Sequence, residues 1–205
     1  MQMQLVFLDD LPLRPRREAP ARPIWRETVD IAGPPPLRLG VLRLWNPHAP
    51  LLGWVVYRAV PDERDTGLRR IIRWSYQGAY GGCLIVALYP VVAKTRTLVD
   101  ALRDAADPEA LVIQRDLAAS TAGMRCQALR IKTIVLATGD LDAVASVDLT
   151  GWIDVFRRYA RRGARFMALD TTLAGWPVAP ATSGLAPPAE ALELVPWRFP
   201  MVPVK

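Results

Sequence analysis

The chain has 205 residues, of which 51% are apolar and 22% charged, a composition typical of one folded domain and not of a disordered chain. Its cysteines and histidines are Cys83, Cys126 and His48 alone, which excludes a disulfide framework and argues against a zinc site. We therefore expect no metal or other cofactor, two reduced core thiols and a solvated loop histidine. The net charge of +6 at pH 7 favours polyanionic partners, although a GC-rich genome would also produce many arginines and few lysines.

The start of the chain carries no recognisable targeting signal. MQMQLVFLDD lacks the basic leader and the apolar segment of a secretory signal peptide. The longest nearly uncharged run, Gln77–Val92, is shorter than the about 20 residues of a membrane span. The sequence thus predicts a cytoplasmic protein with no membrane partner.

Proline usage divides the chain into three regions. All but three of the 19 prolines lie before Leu51 or from Pro177 onward, so regular structure is expected mainly in the middle. The prediction is an N-terminal region over 1–36, an α/β domain over 37–184 and a Pro-rich tail over 185–205 that packs on the body. The N-terminal region would hold a strand at Met1–Phe7 and an irregular Pro/Arg-rich arm at Leu11–Pro36.

The first half of the middle region predicts two strands and a helix. Leu37–Trp45 alternates apolar and other residues and predicts a half-exposed strand, whereas the apolar Leu51–Val60 predicts a more central one. Asp65 or Thr66 would cap the following helix. The helix face predicted to be apolar carries Leu68, Ile71, Ile72 and Ser75.

The second half alternates strands and helices. The predicted strands are Cys83–Tyr89, Lys132–Ala137 and Arg165–Leu169, and the predicted helices are Thr97–Ala106, Glu109–Leu129 and Asp148–Arg162. This order indicates an α/β fold with three layers, in which a mainly parallel central sheet has helices on both faces. Ligands of such sheets bind beyond the carboxyl ends of the strands, here the segments Ala59–Thr66, Tyr89–Thr97, Thr138–Asp142 and Thr171–Gly184.

Short motifs near those segments follow a recognisable order. They are Arg43-Leu44-Trp45, Asp65-Thr66-Gly67-Leu68-Arg69-Arg70, Tyr80-Gly81-Gly82, Val86-Ala87-Leu88, Thr138-Gly139 and Gly175-Trp176-Pro177-Val178-Ala179-Pro180. Over Leu42–Trp197 they resemble the bacterial and phage family called domain of unknown function 1643. That family is in turn similar to the uracil-DNA glycosylase architecture, so the resemblance implies a fold whose loops surround a flipped base.

Three positions depart from the family pattern. Arg58 and its neighbours stand where the family has Asn-Pro-Ser, Ala87 replaces an asparagine, and Ala179 replaces a late histidine. A glycosylase-like site needs polar groups to position water, read the base edge and protonate the leaving base, and alanine does none of these. The resemblance therefore implies a catalytically degenerate cleft, lined by Arg58, Ala87, Thr138, Asp140 and Ala179.

Acidic residues at the first of these loops leave an alternative open. Asp62, Glu63 and Asp65 lie near the end of a strand, where carboxylates bind a metal or activate water in many enzymes. A hydrolase acting on bases or nucleotides would use Asp62 and Asp65, with Arg58, in place of the missing groups. A solvated turn followed by a helix cap is the plainer interpretation of the same residues.

Two arginine clusters are candidates for binding nucleic acid. Arg157, Arg158, Arg161 and Arg162 share one broad face of a predicted helix, and Arg165 follows them. Arginines in a last helical turn also interact favourably with the helix dipole, so the cluster does not require a ligand. The second cluster, Arg69, Arg70 and Arg73, has Trp74 beside it, which suits either base stacking or the core.

These observations favour a catalytically degenerate module that binds DNA, RNA or a partner protein. The hydrolase described above is one alternative. A structural subunit is another, in which Pro187-Pro188 and the segment Pro196–Pro200 dock on a partner protein as extended chain.

Overall fold

The computed structural model describes residues 24–32, 36–59, 65–92, 97, 107–139, 150–171, 177 and 194–196. The predicted strand Met1–Phe7 lies outside these ranges, as does all of the predicted helix Thr97–Ala106 beyond its first residue. Three predicted site residues, Asp62, Asp140 and Ala179, also lie outside them.

The described elements form one seven-stranded sheet with three helices. In chain order they are β1 (Trp25–Ile31), β2 (Leu37–Leu44), β3 (Leu51–Ala59), α1 (Thr66–Gln77), β4 (Gly82–Val92), α2 (Pro108–Ala128), β5 (Thr133–Ala137), α3 (Thr150–Arg161), β6 (Arg165–Ala168) and β7 (Val195–Pro196). The strand order is β1-β2-β4-β3-β5-β6-β7. Strands β4, β3, β5 and β6 are parallel neighbours, and the remaining pairs are antiparallel. The predicted α/β class is confirmed, with a mixed sheet whose parallel part is its centre.

Two core clusters use strand residues of opposite parity. One contains Val55 of β3 together with Ala122 of α2 and Trp152 of α3. The other contains Trp54 of β3 together with Ile71 of α1. Because successive side chains of a strand point to opposite faces, the two clusters use different faces of β3.

Strand β2 is buried, so the prediction of a half-exposed strand is wrong. Leu39 is 5% exposed and Val41 is 3% exposed, and they belong to different core clusters. Both faces of β2 are therefore covered, and its two edges pair with β1 and β4. The alternation in its sequence arises from Arg38 and Arg43, of which Arg43 is 6% exposed and donates to the carbonyl oxygen of Leu42 at 2.8 Å.

Strand β1 corrects the prediction of an irregular arm over Leu11–Pro36. Residues Trp25–Ile31 pair with β2 in antiparallel register. The segment has polar or charged residues at four of its seven positions, so its own pattern indicates no buried face. The pairing with β2, which local sequence does not encode, makes it a strand.

The helices confirm most of the predicted boundaries. Helix α1 begins after Asp65, whose side chain accepts the Leu68 N–H, and helix α2 begins after Asp107, which caps it in the same way. Helices α2 and α3 end within two residues of the predicted bounds, the usual uncertainty of helix termini. None of the described helices combines the length and apolar character needed to cross a membrane.

Candidate functional site

At the carboxyl end of β3, two predicted site residues form an ion pair. Arg58 Nη2 lies 2.9 Å from Asp65 Oδ2, while Asp65 Oδ1 accepts the N–H of Leu68 at 3.1 Å. Both carboxylate oxygens therefore have partners, one in the ion pair and one in the N-cap of α1. This is the arrangement of a helix-capping aspartate. Within the described ranges, no three Asp, Glu, His or Cys side chains come together as a metal site.

Two other predicted cleft residues lie in the interior. Ala87 is 3% exposed and packs in the same core cluster as Trp54. Thr138 is also 3% exposed, and its hydroxyl donates to the carbonyl oxygen of Gly139 at 3.3 Å. Neither side chain lies on a surface of the described structure, so neither is placed to contact a ligand there.

The Tyr80-Gly81-Gly82 motif has a structural role. The Gly81 carbonyl oxygen accepts the N–H groups of Trp45 and Asn46 at 2.9 and 2.8 Å, and its own N–H donates to Pro50 at 2.8 Å. A Cβ at Gly81 would lie 2.0 Å from the Asn46 carbonyl oxygen. The motif therefore permits close backbone approach and holds the loop that carries the exposed His48.

A small apolar cavity lies between the sheet and helices α2 and α3. Its lining includes Val55, Leu84, Ala122 and Trp152, and its volume is about 10 Å³. Such a volume is at the lower limit for one water molecule and far below that of a ligand pocket. The cavity thus cannot take a nucleobase.

Both cysteines lie in the interior of the described structure. Cys83 and Cys126 are buried free thiols, as the sequence predicts. Burial raises the pKa of Cys83 and of Cys126 to about 12, so neither forms a thiolate near neutral pH.

Of the two roles that the sequence left open for Trp74, beside the arginine cluster of α1, the structure shows the core. Trp74 is 4% exposed and stacks on Trp54 with ring centroids 6.0 Å apart. It is therefore a core residue and cannot stack on a base. Arg69 and Arg70 already interact with other groups of the chain. The side chain of Arg73 is exposed.

The other arginine cluster is larger than the sequence indicated. Arg162 Nη1 donates to the side-chain oxygen of Gln127 at 2.7 Å, and the Gln127 carbonyl oxygen accepts the N–H of Arg130 at 3.0 Å. At the adjacent strand starts, the Arg165 N–H donates to the Lys132 carbonyl oxygen at 2.8 Å. We call the four exposed residues Arg130, Lys132, Arg162 and Arg165 the basic edge.

Helix α3 extends the basic edge. Arg157, Arg158 and Arg161 are exposed, whereas Trp152 and Phe156 of the same helix are buried. Arg157 pairs loosely with Asp154 at 3.8 Å, and both side chains are more than 60% exposed. Across 129–137 and 150–168, Asp154 is the single acidic residue beside seven basic ones. The α2 and α3 carboxyl ends contribute about half a negative charge each, so the surface stays strongly positive.

Arg130 and Lys132 were not among the site residues predicted from the sequence. They are far along the chain from Arg157–Arg165 and do not form a run, so no local pattern groups them. The signal was that Lys132 begins the predicted strand Lys132–Ala137 and Arg130 lies two residues before it. This strand is parallel to the one that begins at Arg165. The starts of parallel neighbours meet at one edge of a sheet.

The basic edge lies at the amino ends of β5 and β6, opposite the carboxyl edge where ligands of such sheets are expected.

A comparison of the chain with protein-family models, curated proteins and solved structures found no match.

Proposed function

We propose that the chain is a catalytically degenerate, nucleic-acid-binding module. It binds the phosphate backbone through its basic edge and through Arg157, Arg158 and Arg161. The observation that carries the proposal is a group of seven exposed basic side chains on α3 and directly after it, at the start of β6 and between α2 and β5. Within 129–137 and 150–168, Asp154 is the one acidic residue beside them. Phosphate contacts of this kind bind without reading sequence.

The chemistry of the side chains supports a polyanion over a small acidic ligand. Guanidinium groups bind phosphate oxygens in pairs, and exposed ones spaced along a helix suit a repeating phosphate chain. DNA and RNA both carry this chemistry.

The proposal includes the loss of catalytic activity. Its support is that Asp65 is committed to capping and to Arg58, and that Ala87 is buried in the core. The three-layer, uracil-DNA-glycosylase-like arrangement is proposed with it. The two core clusters use different faces of β3, which supports the three layers. The Asp65–Arg70 and Tyr80–Gly82 motifs lie at the starts of α1 and β4, which supports the glycosylase-like arrangement.

The salt dependence of binding tests the basic edge. We expect a triple variant, Arg130→Ala, Lys132→Ala and Arg165→Ala, to weaken binding to a labelled 20-base-pair duplex and to flatten the slope of log K against log salt. Each lost phosphate contact should reduce that slope by about 0.9. Fluorescence anisotropy over a salt titration measures both quantities.

The matched control removes the same formal charge from α1, through Arg69→Ala, Arg70→Ala and Arg73→Ala. It should leave the slope nearly unchanged, because these residues lie on the helix of the other core cluster. Equal effects of the two triple variants would show that the affinity depends on net charge and not on the position of the basic residues. Absence of binding to duplex and single-stranded DNA or RNA at low salt would refute the proposal.

A further inference from the structure

Among the described strands, β1 lies at one edge of the sheet. Within the described ranges it pairs with β2 alone and stands first in the strand order. Two of its apolar side chains face solvent, since Trp25 is 57% exposed and Ile31 is 38% exposed. An edge strand presents unpaired backbone N–H and C=O groups to another strand.

The sequence of β1 is complementary to itself when two copies run antiparallel. With the two-fold axis at Thr28, Trp25 of one copy lies opposite Ile31 of the other, and Arg26 lies opposite Asp30. Aromatic with β-branched pairs and opposite charges are the favourable cross-strand combinations. Each pair occurs twice, because the axis repeats it.

From this complementarity we propose that β1 pairs with β1 of a second copy of this chain and joins the two sheets into one. A symmetric contact of this kind is closed, so it yields a dimer and not a fibre.

The backbone of β1 is regular enough for this pairing. In the β1–β2 register, Val29 is opposite Gly40 and Asp30 is opposite Arg38, so Leu39 is the extra residue and the bulge lies on β2. A bulge bends the strand that carries the extra residue. Strand β1 therefore keeps an even spacing of outward backbone groups over its length.

The acidic side chains of β1 are already placed for the contact. Asp30 accepts from Arg38 Nε at 2.8 Å and Nη2 at 2.9 Å, which fixes the carboxylate while leaving acceptor capacity for a second arginine. Glu27, which lies opposite Val29 of the other copy, is held by Arg125 of its own chain at 2.7 Å. Arg26 interacts within its own chain, so the intermolecular pair with Asp30 extends an existing network.

Charge reversal tests the register. In an Arg26→Asp variant two aspartates would face each other across the contact, and in an Asp30→Arg variant two arginines would. Each variant alone should lower the dimer association constant by about tenfold, because attractive cross-strand pairs become repulsive ones. An equimolar mixture of the two should restore dimerisation, since both charge pairs are then opposite again. Sedimentation equilibrium over a concentration series compares the wild-type chain, the two variants and their mixture.

Crosslinking gives a second measurement, which tests the register of the contact. The exposed Thr28 lies on the proposed axis, so Thr28→Cys should form an intermolecular disulfide, whereas the exposed Ala32, four positions from the axis, should not when replaced by cysteine. The native thiols are buried and do not compete. Equal crosslinking of both variants, or a wild-type chain that stays monomeric at millimolar concentration, would overturn the proposal.

Discussion

Asp65 divides its two carboxylate oxygens between two neighbours, the Leu68 N–H at 3.1 Å and the Arg58 guanidinium at 2.9 Å. One oxygen begins helix α1 and the other ties the end of β3 to it. A carboxylate engaged on both sides stabilises the fold by joining the end of β3 to the start of α1. The helix cap is therefore the interpretation that the geometry supports for this residue.

Substitution of Asp65 separates a structural role from a catalytic one. Asp65→Ala should lower the free energy of unfolding by about 1 to 2 kcal/mol, since it removes the cap and a partly exposed ion pair. Asp65→Asn should cost less, because asparagine caps helices as well as aspartate does. Urea denaturation measures both. Release of bases from modified DNA by the native chain, lost in a stable Asp65→Asn variant, would instead identify Asp65 as catalytic.

At the scale of the element, the loop before β4 is built by close backbone approach. Gly81 receives two N–H groups and donates one, and Trp45 Nε1 donates to the Tyr80 carbonyl oxygen at 2.7 Å. Two adjoining glycines are needed because a Cβ at Gly82 would also lie 2.5 Å from a backbone oxygen, that of Arg43. The turn therefore sets the entry of β4 between β2 and β3.

Replacing Gly81 by alanine should destabilise the chain by about 2 kcal/mol or more, because the new methyl group would overlap the Asn46 carbonyl oxygen. Gly40→Ala is the matched control, since its nearest new contacts would lie at an ordinary 3.8 Å. Thermal unfolding followed by circular dichroism compares the two variants. A Gly81→Ala variant as stable as Gly40→Ala would mean that the loop can move away without cost.

The elements differ in how well local sequence encodes them. Helix α1 was predictable because Asp65, Leu68 and Ile71 combine a cap with an amphipathic period, both of which are local signals. Strand β1 was not, because its strand character comes from pairing with β2. The burial of β2 was also missed, since Arg43 is a charged residue that buries its side chain among backbone acceptors.

On the scale of the whole molecule, one cysteine lies in each core cluster, Cys126 in the first and Cys83 in the second. Burial raises the pKa of each thiol from 9.0 to about 12. The folded state therefore gains stability from the neutral thiols below pH 9, and this contribution is lost as the pH rises from 9 to 12. Because each core cluster contains one cysteine, the reactivity of each thiol reports on the opening of one cluster.

If the clusters unfold as one unit, both thiols should react with iodoacetamide at the same slow rate at pH 8, since each becomes reactive only after global opening. Mass spectrometry of digested samples over time measures the two rates. Single Cys83→Ala and Cys126→Ala variants serve as controls for assignment. Much faster labelling of one thiol would show that its cluster opens by itself.

The sequence by itself determined the α/β class, the cap and apolar face of α1, the central strand β3 and the approximate bounds of α2 and α3. These depend on hydrophobic period, capping residues and prolines, which act over a few neighbouring positions. Only the tertiary structure decided that Trp74 packs in the core, that Arg58 pairs with Asp65, and that Arg130 and Lys132 join Arg162 and Arg165 on one edge. Contacts between residues distant in the chain are set by strand order and packing, which local patterns do not carry.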